Sequence, residues 1–343
     1  MLQLFFQNIQ KEVGIMFPAK LKQGDEIRIV SPSSSLGIVS EENKALATKK
    51  LKEMGFYVTF STHAEEIDRF FSSSIQSRVQ DLHDAFADPN VKAIITTLGG
   101  YNANQLLHHL DYELIRHNPK ILCGYSDITA LSNAIYAKTG VITYSGPFFS
   151  SFAMEKGIAY TIDYFQKCFM SEKPFSITPS ATWSDDSWHR EQENRNFFSN
   201  EGYIVIQQGE ATGTIVGGNM STLHLLQGTA YMPNLQDCIL FLEEDDLTGN
   251  ATLKVFDRYL QSLVQQPNFE HVRGIIIGKF QRGAHISIED LRDIIATKKE
   301  LSHLPIIANA NFGHTTPIFT FPIGGKASLL ASAKHTKLTI LEH

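Results

Sequence analysis

Cysteine is scarce in this chain, with three residues among 343. Cys123, Cys168 and Cys238 are odd in number, widely spaced and set among apolar residues. This pattern disfavours a disulfide framework and a zinc site, because both need thiols that are paired or closely spaced. Unpaired thiols are typical of a reducing compartment, so we expect a cytoplasmic protein that holds no metal and no cofactor.

Long hydrophobic runs and basic clusters are also missing. The chain has no stretch of about 18 apolar residues, which a membrane-spanning helix would require. Its 30 Lys and Arg residues are outnumbered by 36 Asp and Glu residues, which gives a formal net charge of -6. Nonspecific nucleic-acid binding needs a basic face, so we expect neither a membrane nor a nucleic acid as a partner.

Residues 1–16 lack the basic start, long apolar centre and small-residue cleavage site of a secretion signal. The tripeptide Lys11-Glu12-Val13 could be encoded by a bacterial ribosome-binding sequence shortly before the Met16 codon. We therefore expect residues 1–16 to be a non-native or extension segment, with translation starting at Met16. Detection of a native species with the mass of a chain beginning at Met1 would contradict this expectation.

The first half of the chain alternates between strand and helix patterns. Repeated β–α units imply a parallel sheet with helices on both faces, as in flavodoxin-like and Rossmann-like folds. The predicted strands are 26–31, 57–60, 93–97 and 121–123, and the predicted helices are 41–54, 77–87, 103–109 and 127–137. Arg78 and Asp81 lie three residues apart on one of these helices, where we expect a surface ion pair.

The second half favours short strands, with helices mainly at 258–265 and 288–299. A chain of 343 residues exceeds what one core usually holds, so two domains are expected. We predict an N-terminal α/β domain over 17–155 and a strand-rich α+β domain over 203–343. Residues 156–202 would form a linker that carries a tryptophan loop.

The segment Lys120–Thr129 reads as a buried strand that runs through a tight Gly-Tyr-Ser turn into a helix. Such a turn presents Ser126 as a nucleophile, next to N–H groups at the positive end of a helix. Hydrolase turns of this kind usually carry a second glycine where this chain has Ile128. A plain turn with a capping serine is therefore the alternative interpretation.

Two further segments offer partners for a serine nucleophile. An apolar strand, 237–242, ends in Glu243, and another, 305–310, leads to Gly313 and His314. A serine needs a base, and the base needs an anion that holds its tautomer, so Ser126, His314 and Glu243 could form a triad. Taken singly, one of thirteen histidines and a carboxylate at a strand end would be ordinary surface residues.

Six motifs in order resemble the LD-carboxypeptidase family of serine peptidases, over about residues 17 to 328. They are Gly24–Ser33, Leu98–Tyr101, Gly124–Asp127, Gly217–Asn219, Leu242-Glu243 and Gly313-His314. The resemblance implies a triad of Ser126 as nucleophile, His314 as base and acid, and Glu243 as the residue that orients His314. It also implies an oxyanion hole made of the backbone N–H groups of Asp127 and Gly100.

Within that family, this chain is most similar to the self-immunity proteins of the microcin C type, which cleave peptidyl or aminoacyl nucleotides. The glycine pair is followed by Tyr101 and Asn102, as in that branch, and both residues are expected to bind substrate. The loop 179–188 holds both tryptophans of the chain, and Trp183 would stack on a nucleobase. Trp188 is the alternative stacking residue, and either tryptophan could instead only pin the loop. Asn219 is expected to orient substrate or the catalytic loop.

Three functions remain open from the sequence. The first is hydrolysis of peptidyl or aminoacyl nucleotides, the second is muropeptide LD-carboxypeptidase activity, and the third is ligand binding without catalysis. Candidates for all three triad positions favour an enzyme that acts on a small-molecule substrate. The resemblance further implies a homodimer.

Overall fold

The computed structural model describes residues 14–343. The predicted extension therefore lies, apart from residues 14–16, outside the described residues. Within the described range, Met16 forms a parallel bridge with Val141.

The described residues form strands and helices that alternate through the first half of the chain. The strands are β1 (Glu26–Val30), β2 (Tyr57–Phe60), β3 (Val91–Thr96), β4 (Ile121–Cys123), β5 (Thr143–Ser145), β6 (Phe175–Ile177), β7 (Thr182–Trp183), β8 (Phe198–Ser199), β9 (Ile204–Gln207), β10 (Gly209–Asn219), β11 (Cys238–Glu243), β12 (Gly274–Gly278), β13 (Ile306–Ala310), β14 (Phe321–Ile323), β15 (Lys326–Ala331) and β16 (Thr336–Glu342). The α-helices are α1 (Glu41–Glu53), α2 (Ile75–Ala87), α3 (Tyr112–His117), α4 (Ile128–Thr139), α5 (Ala159–Phe169), α6 (Met220–His224), α7 (Thr252–Val264) and α8 (Ile288–Ala296).

The first sheet has the strand order β14-β5-β4-β3-β1-β2. Strands β1 to β5 are parallel, whereas β14, from late in the chain, pairs antiparallel with β5. Parallel strands end at the same edge of a sheet, so the segments that follow β3 and β4 lie close together. The Gly99-Gly100 turn and Ser126 therefore meet at this edge.

The second sheet has eight strands in the order β6-β16-β15-β10-β11-β12-β13-β9. Its centre, β10 to β13, is parallel, and the outer strands are antiparallel. This mixed, strand-rich second half and the parallel first sheet confirm the predicted fold class. The boundaries proposed at 155 and 203 stay a prediction.

Helix α4, which follows Ser126, packs between the two halves of the molecule. Its Asn133 side chain donates to Gly217 O at 2.8 Å, and its Thr129 Oγ1 accepts from Asn219 N at 3.0 Å. A Cβ on Gly218 would lie 2.5 Å from Thr129 Oγ1, so this close approach requires glycine. The apolar core is continuous across the contact, from Leu131 to Val216. The nucleophile helix is therefore fixed to the strand that carries Asn219.

Several local predictions need correction. The predicted helix at 103–109 is a single 3-10 turn, Ala103–Leu106, followed by the separate helix α3. The helix expected at 258–265 begins earlier, because α7 spans Thr252–Val264. The predicted surface pair of Arg78 and Asp81 is wrong, since both side chains are buried and bind different partners.

Candidate active site

Ser126 occupies the turn between β4 and α4, with a left-handed φ of 56°. A residue with a side chain adopts this conformation at a cost of about 1–3 kcal/mol, which is tolerated mainly at functional sites. The turn is compact because a Cβ on Gly124 would overlap Thr96 Oγ1 and lie 3.0 Å from Ile128 Cγ1. The sharp turn thus forms with Ile128 in the place of the second glycine.

His314 and Glu243 come from the second half of the molecule. Glu243 is the last residue of β11, and His314 follows β13 in the next loop. Gly313, with φ of 100°, lets this loop approach the carboxylate, because a Cβ there would lie 2.6 Å from Glu243 Oε2. The loop geometry therefore sets the distance between the imidazole and the carboxylate.

The three side chains form one hydrogen-bonded chain. His314 Nε2 lies 3.0 Å from Ser126 Oγ, and His314 Nδ1 lies 2.8 Å from Glu243 Oε2. Glu243 is 3% exposed, and its Oε1 has no hydrogen-bond partner among the described residues. The geometry is that expected of a nucleophile, a base and an orienting anion.

The electrostatic environment favours a protonated His314 in the free protein. Burial lowers the pKa of His314, but the charge and the hydrogen bond of Glu243 outweigh it and raise the pKa to about 9. Burial, together with the charge of Glu243, raises the pKa of the neighbouring Glu244 to about 7. The pKa of His314 is raised because several acidic groups surround it, whereas that of Glu244 is raised because burial and like charges disfavour its ionised form.

The backbone around Ser126 offers free N–H donors. The Gly99-Gly100 turn touches the serine, since a Cβ on Gly99 would lie 3.1 Å from Ser126 Oγ. Among residues 14–343, the N–H groups of Gly100 and Asp127 donate to no protein acceptor. Free donors on either side of a nucleophile are suited to stabilising a developing oxyanion.

The tryptophan loop joins the active-site region through backbone pairing. Ser184, next to Trp183, forms an antiparallel bridge with Thr316, two residues after His314. Lys279 Nζ lies 4.4 Å from the centroid of the half-buried Trp183 ring, and burial lowers the pKa of this lysine to about 8. Trp188, in contrast, packs against the core of the first half.

A cavity of about 640 Å³ opens beside Trp183. Its lining includes Phe198, Lys279 and Arg282 as well as Trp183, so aromatic faces and cations meet in one place. Such a lining suits a ligand that combines a flat ring with negative charge. A larger cavity, of about 950 Å³, lies beside α1 and β2, and neither of these two cavities is lined by a triad residue.

The other predicted binding residues occupy different environments. Tyr101 is 79% exposed at the edge of the glycine turn. Asn102 is held by the protein, because its Oδ1 accepts from Arg78 Nη1 at 3.0 Å. Asn219 is buried, where its Oδ1 accepts from Thr222 N at 3.0 Å and its Nδ2 donates to Glu244 at 3.3 Å.

Sequence reasoning missed Arg78, Lys279 and the carboxylate of Asp127. Arg78 could have been found, since it shares a helical face with Ile75 and Leu82 and so points inward. Lys279 follows directly on the buried strand β12, where a cation at a strand end signals a site. No sequence signal distinguishes the carboxylate of Asp127 from an ordinary helix-start acid.

Two domain families match this chain in sequence. The LD-carboxypeptidase N-terminal domain matches residues 27–146, and the LD-carboxypeptidase C-terminal domain matches residues 212–329. The chain belongs to the LD-carboxypeptidase family. This confirms the resemblance drawn from the six motifs and the prediction of a serine-type peptidase, and the non-catalytic interpretation is set aside.

Curated relatives span nearly the whole chain. A putative carboxypeptidase of Bacillus subtilis (strain 168) is 56% identical over 328 residues, which cover 96% of this chain and 100% of the relative. The microcin C7 self-immunity protein MccF of Escherichia coli is 29% identical, covering 94% of this chain and 96% of that protein. A probable murein peptide carboxypeptidase of B. subtilis (strain 168) is 27% identical, with 92% of each chain covered.

Solved structures agree with this assignment. An MccF-like protein from Bacillus anthracis str. Ames is 70% identical with a TM-score of 0.95, covering 96% of this chain and 100% of that one. MccF in complex with glutamyl sulfamoyl guanosine is 28% identical with a TM-score of 0.84, covering 95% and 98%. The predicted similarity to the self-immunity proteins is confirmed.

No helix within 14–343 is long and apolar enough to span a membrane. In the same residues, no group of three or more His, Cys, Asp or Glu side chains is arranged to hold a metal ion.

Proposed function

We propose that this protein hydrolyses amide bonds through a triad of Ser126, His314 and Glu243. The observation that carries the proposal is the continuous chain of contacts from Ser126 Oγ through the imidazole to Glu243 Oε2, at 3.0 and 2.8 Å. Contacts of this length allow proton transfer between serine and histidine while the carboxylate holds the imidazole tautomer.

The proposed reaction proceeds in two steps. The neutral form of His314 takes the proton of Ser126 Oγ while that oxygen attacks the carbonyl carbon. The negative charge on the carbonyl oxygen is stabilised by the N–H groups of Gly100 and Asp127. His314 then donates the proton to the leaving nitrogen, the C–N bond breaks, and an acyl ester remains on Ser126. Water, deprotonated by His314, hydrolyses the ester and regenerates the enzyme.

The substrate class that we propose is a peptidyl or aminoacyl nucleotide. Solved MccF structures hold aspartyl sulfamoyl adenosine and glutamyl sulfamoyl guanosine, in which an amino acid is joined to a nucleoside. A structure of an MccF variant with a tryptophan replaced by phenylalanine holds adenosine monophosphate. In this chain, Trp183, with Lys279 beside its ring, offers an aromatic face to such a base. Tyr101, Asn102 and Asn219 are assigned to contact or orient the same substrate.

Hydrolysis of muropeptides is the second candidate, favoured by the similarity to the murein peptide carboxypeptidase. Both substrates contain an amide that the same triad could cleave. An assay of the purified protein on a peptidyl-adenylate analogue and on a tetrapeptide muropeptide, side by side, separates them. We expect a higher kcat/KM for the nucleotide, and a clear preference for the muropeptide would reverse the assignment.

Replacement of Trp183 with alanine tests the base contact. A lost stacking contact of about 1–3 kcal/mol should raise KM for nucleotide-linked substrates roughly tenfold to a hundredfold. A substrate that lacks a base should be turned over almost unchanged, because the triad is untouched. The measurement is KM for both substrate types, compared with the wild type.

Trp188→Ala is the matched control for Trp183→Ala. Since Trp188 packs against the core, its removal should lower the melting temperature and leave substrate selectivity intact. Selective loss of nucleotide-linked substrates in Trp188→Ala, with none in Trp183→Ala, would show that the wrong tryptophan has been assigned.

We also propose where the protein acts and how it assembles. A cytoplasmic location accords with three cysteines that are all buried and unpaired. We further propose a homodimer that acts on small molecules. Sedimentation of the purified protein tests the assembly, and a monomer at micromolar concentration would refute it.

A further inference from the structure

Two short loops lie beside Ser126 at the carboxyl edge of the first sheet. We call residues 31–35 the serine loop and residues 99–103 the glycine loop. The loops touch, because Ser34 N donates to Gly99 O at 3.1 Å. A Cβ on Gly100 would overlap Ser33 Oγ, so the glycine loop rests directly on the serine loop. The direction of the Gly100 N–H therefore depends on how both loops are held.

The carboxylate of Asp127 binds both loops at once. Its Oδ2 accepts from Ser33 Oγ at 2.5 Å, from Asn102 N at 2.9 Å and from Ala103 N at 2.8 Å. The Asp127 side chain is buried with 2% exposure, so these donors replace the water that would otherwise solvate it. Hydrogen bonds to a buried anion are stronger than those between neutral groups.

Arg78 binds the same two loops. Its Nη1 donates to Pro32 O at 3.2 Å and to Asn102 O at 3.1 Å, and its Nη2 donates to Gln105 Oε1 at 2.7 Å. The arginine is 2% exposed, and these acceptors are all neutral. Burial lowers its pKa, and the charge of Asp127 is the largest influence that raises it.

The main chain at Asn102 lies between these two ions. The negative side chain of Asp127 holds its N–H, and the positive side chain of Arg78 holds its carbonyl oxygen. Opposite charges at the two ends of a residue strengthen both hydrogen bonds. Each ion also balances the other, since a lone buried charge would be strongly destabilising.

We propose that Asp127 and Arg78 form a charge clamp that positions the Gly100 N–H to stabilise the oxyanion. The inference rests on the proposed function, because it explains how the oxyanion hole of that reaction is held in position. Both side chains are positioning residues, which act on the reacting atoms through the two loops. The carboxylate of Asp127 thus has a role separate from that of its backbone N–H.

Asp127→Ala and Asp127→Asn test the clamp by steady-state kinetics, on whichever of the two substrates the wild type cleaves. Alanine removes the acceptor for three donors, so kcat should fall about a hundredfold to a thousandfold, as for loss of an oxyanion donor, with KM within about threefold. Asparagine keeps one acceptor oxygen but loses the negative charge that balances Arg78, so kcat of Asp127→Asn should fall between those of the wild type and of Asp127→Ala. Equal kcat in wild type and Asp127→Ala would overturn the proposal.

Asp81→Ala is the matched control. Asp81 is also buried, and it accepts from Ser61 Oγ at 2.6 Å and from His63 Nδ1 at 2.7 Å, so none of its hydrogen bonds reaches residues 31–35 or 99–103. Its removal should lower the melting temperature and leave kcat unchanged. If Asp81→Ala and Asp127→Ala reduce kcat equally, the effect of Asp127 is one of general stability and the clamp is refuted.

Amide hydrogen exchange gives a readout that needs no substrate. In Asp127→Ala, the amides of Asn102 and Ala103 should exchange at least about tenfold faster, while Asp81→Ala leaves them protected. Unchanged protection in Asp127→Ala would overturn the clamp. A different result would refute the proposed function itself, namely hydrolysis that persists in Ser126→Ala.

A double-mutant cycle tests the pairing of the two ions. Arg78→Met alone should lower kcat, because it frees Asn102 O and leaves Asp127 unbalanced. In Arg78→Met with Asp127→Asn, the loss should be smaller than the product of the single losses, since neither buried charge then remains alone. Losses that simply multiply would show that the two residues act independently, against the proposed clamp.

Discussion

Replacement of Ser126 with alanine is expected to lower kcat by roughly four to six orders of magnitude. The variant loses the oxygen that attacks the carbonyl, and only binding and the oxyanion donors remain to accelerate the reaction. The fold should be preserved, because alanine removes one hydroxyl from a turn whose backbone is fixed on both sides. The measurement is single-turnover hydrolysis by the purified variant, together with its melting curve.

Ser132→Ala is the matched control for that experiment. Ser132 lies on α4, two turns after the nucleophile, and its buried hydroxyl has no hydrogen-bond partner among the described residues. Its removal should leave kcat unchanged. Turnover within tenfold of wild type in Ser126→Ala would eliminate the serine mechanism and indicate an activated water molecule as nucleophile.

Replacement of Glu243 with glutamine is expected to lower kcat by about 10⁴-fold. An amide cannot stabilise the imidazolium that forms when His314 takes a proton, and it no longer enforces the reactive tautomer. Steady-state kinetics measure the loss. Glu342→Gln, which removes an exposed carboxylate paired with Lys326, should retain full activity. Full activity of Glu243→Gln would mean that His314 needs no orienting anion.

The same variant should change the pH dependence of the reaction. General-base catalysis needs neutral His314, whose pKa is raised to about 9 in the free protein, so wild-type kcat/KM should increase as the pH rises through about 9. Without the charge of Glu243 the pKa of His314 falls, so the residual activity of Glu243→Gln should reach its plateau at a lower pH. A pH profile identical to that of the wild type would contradict this assignment.

Linkage gives a related expectation for stability. A raised histidine pKa means that the folded state binds the proton more tightly than the unfolded chain. The resulting stabilisation of the folded state is fully present below the ordinary histidine pKa of about 6.5, and it is lost as the pH rises through about 9. The wild-type melting temperature should therefore fall between about pH 6.5 and pH 9, and this fall should be absent in Glu243→Gln.

The positions of the catalytic candidates illustrate what the sequence could predict. Ser126 stands in a local pattern, an apolar strand, a glycine turn and a helix, and this pattern depends on residues only a few places apart. His314 was singled out because a glycine precedes it after an apolar strand. Their contact, across 188 residues, depends on the packing of the two halves and has no local signal.

The side-chain environments were less predictable. Glu243 and Glu244 are neighbours in sequence, yet Glu243 faces His314 whereas Glu244 accepts from Ser221 N at 2.9 Å. Arg78 and Asp81 have the spacing of a surface pair, but α2 turns both toward buried partners. Helical spacing indicates which residues share a face, and only tertiary packing decides what covers that face.

Short segments of the chain specify the alternation of strands and helices, the sharp turn at Ser126 and the six family motifs, so these features could be predicted from the sequence. Tertiary packing determines which acid contacts His314, which tryptophan packs against the core of the first half, and how two buried ions hold the glycine loop. These features depend on distances between segments far apart in the chain, which are set when the two sheets pack against α4.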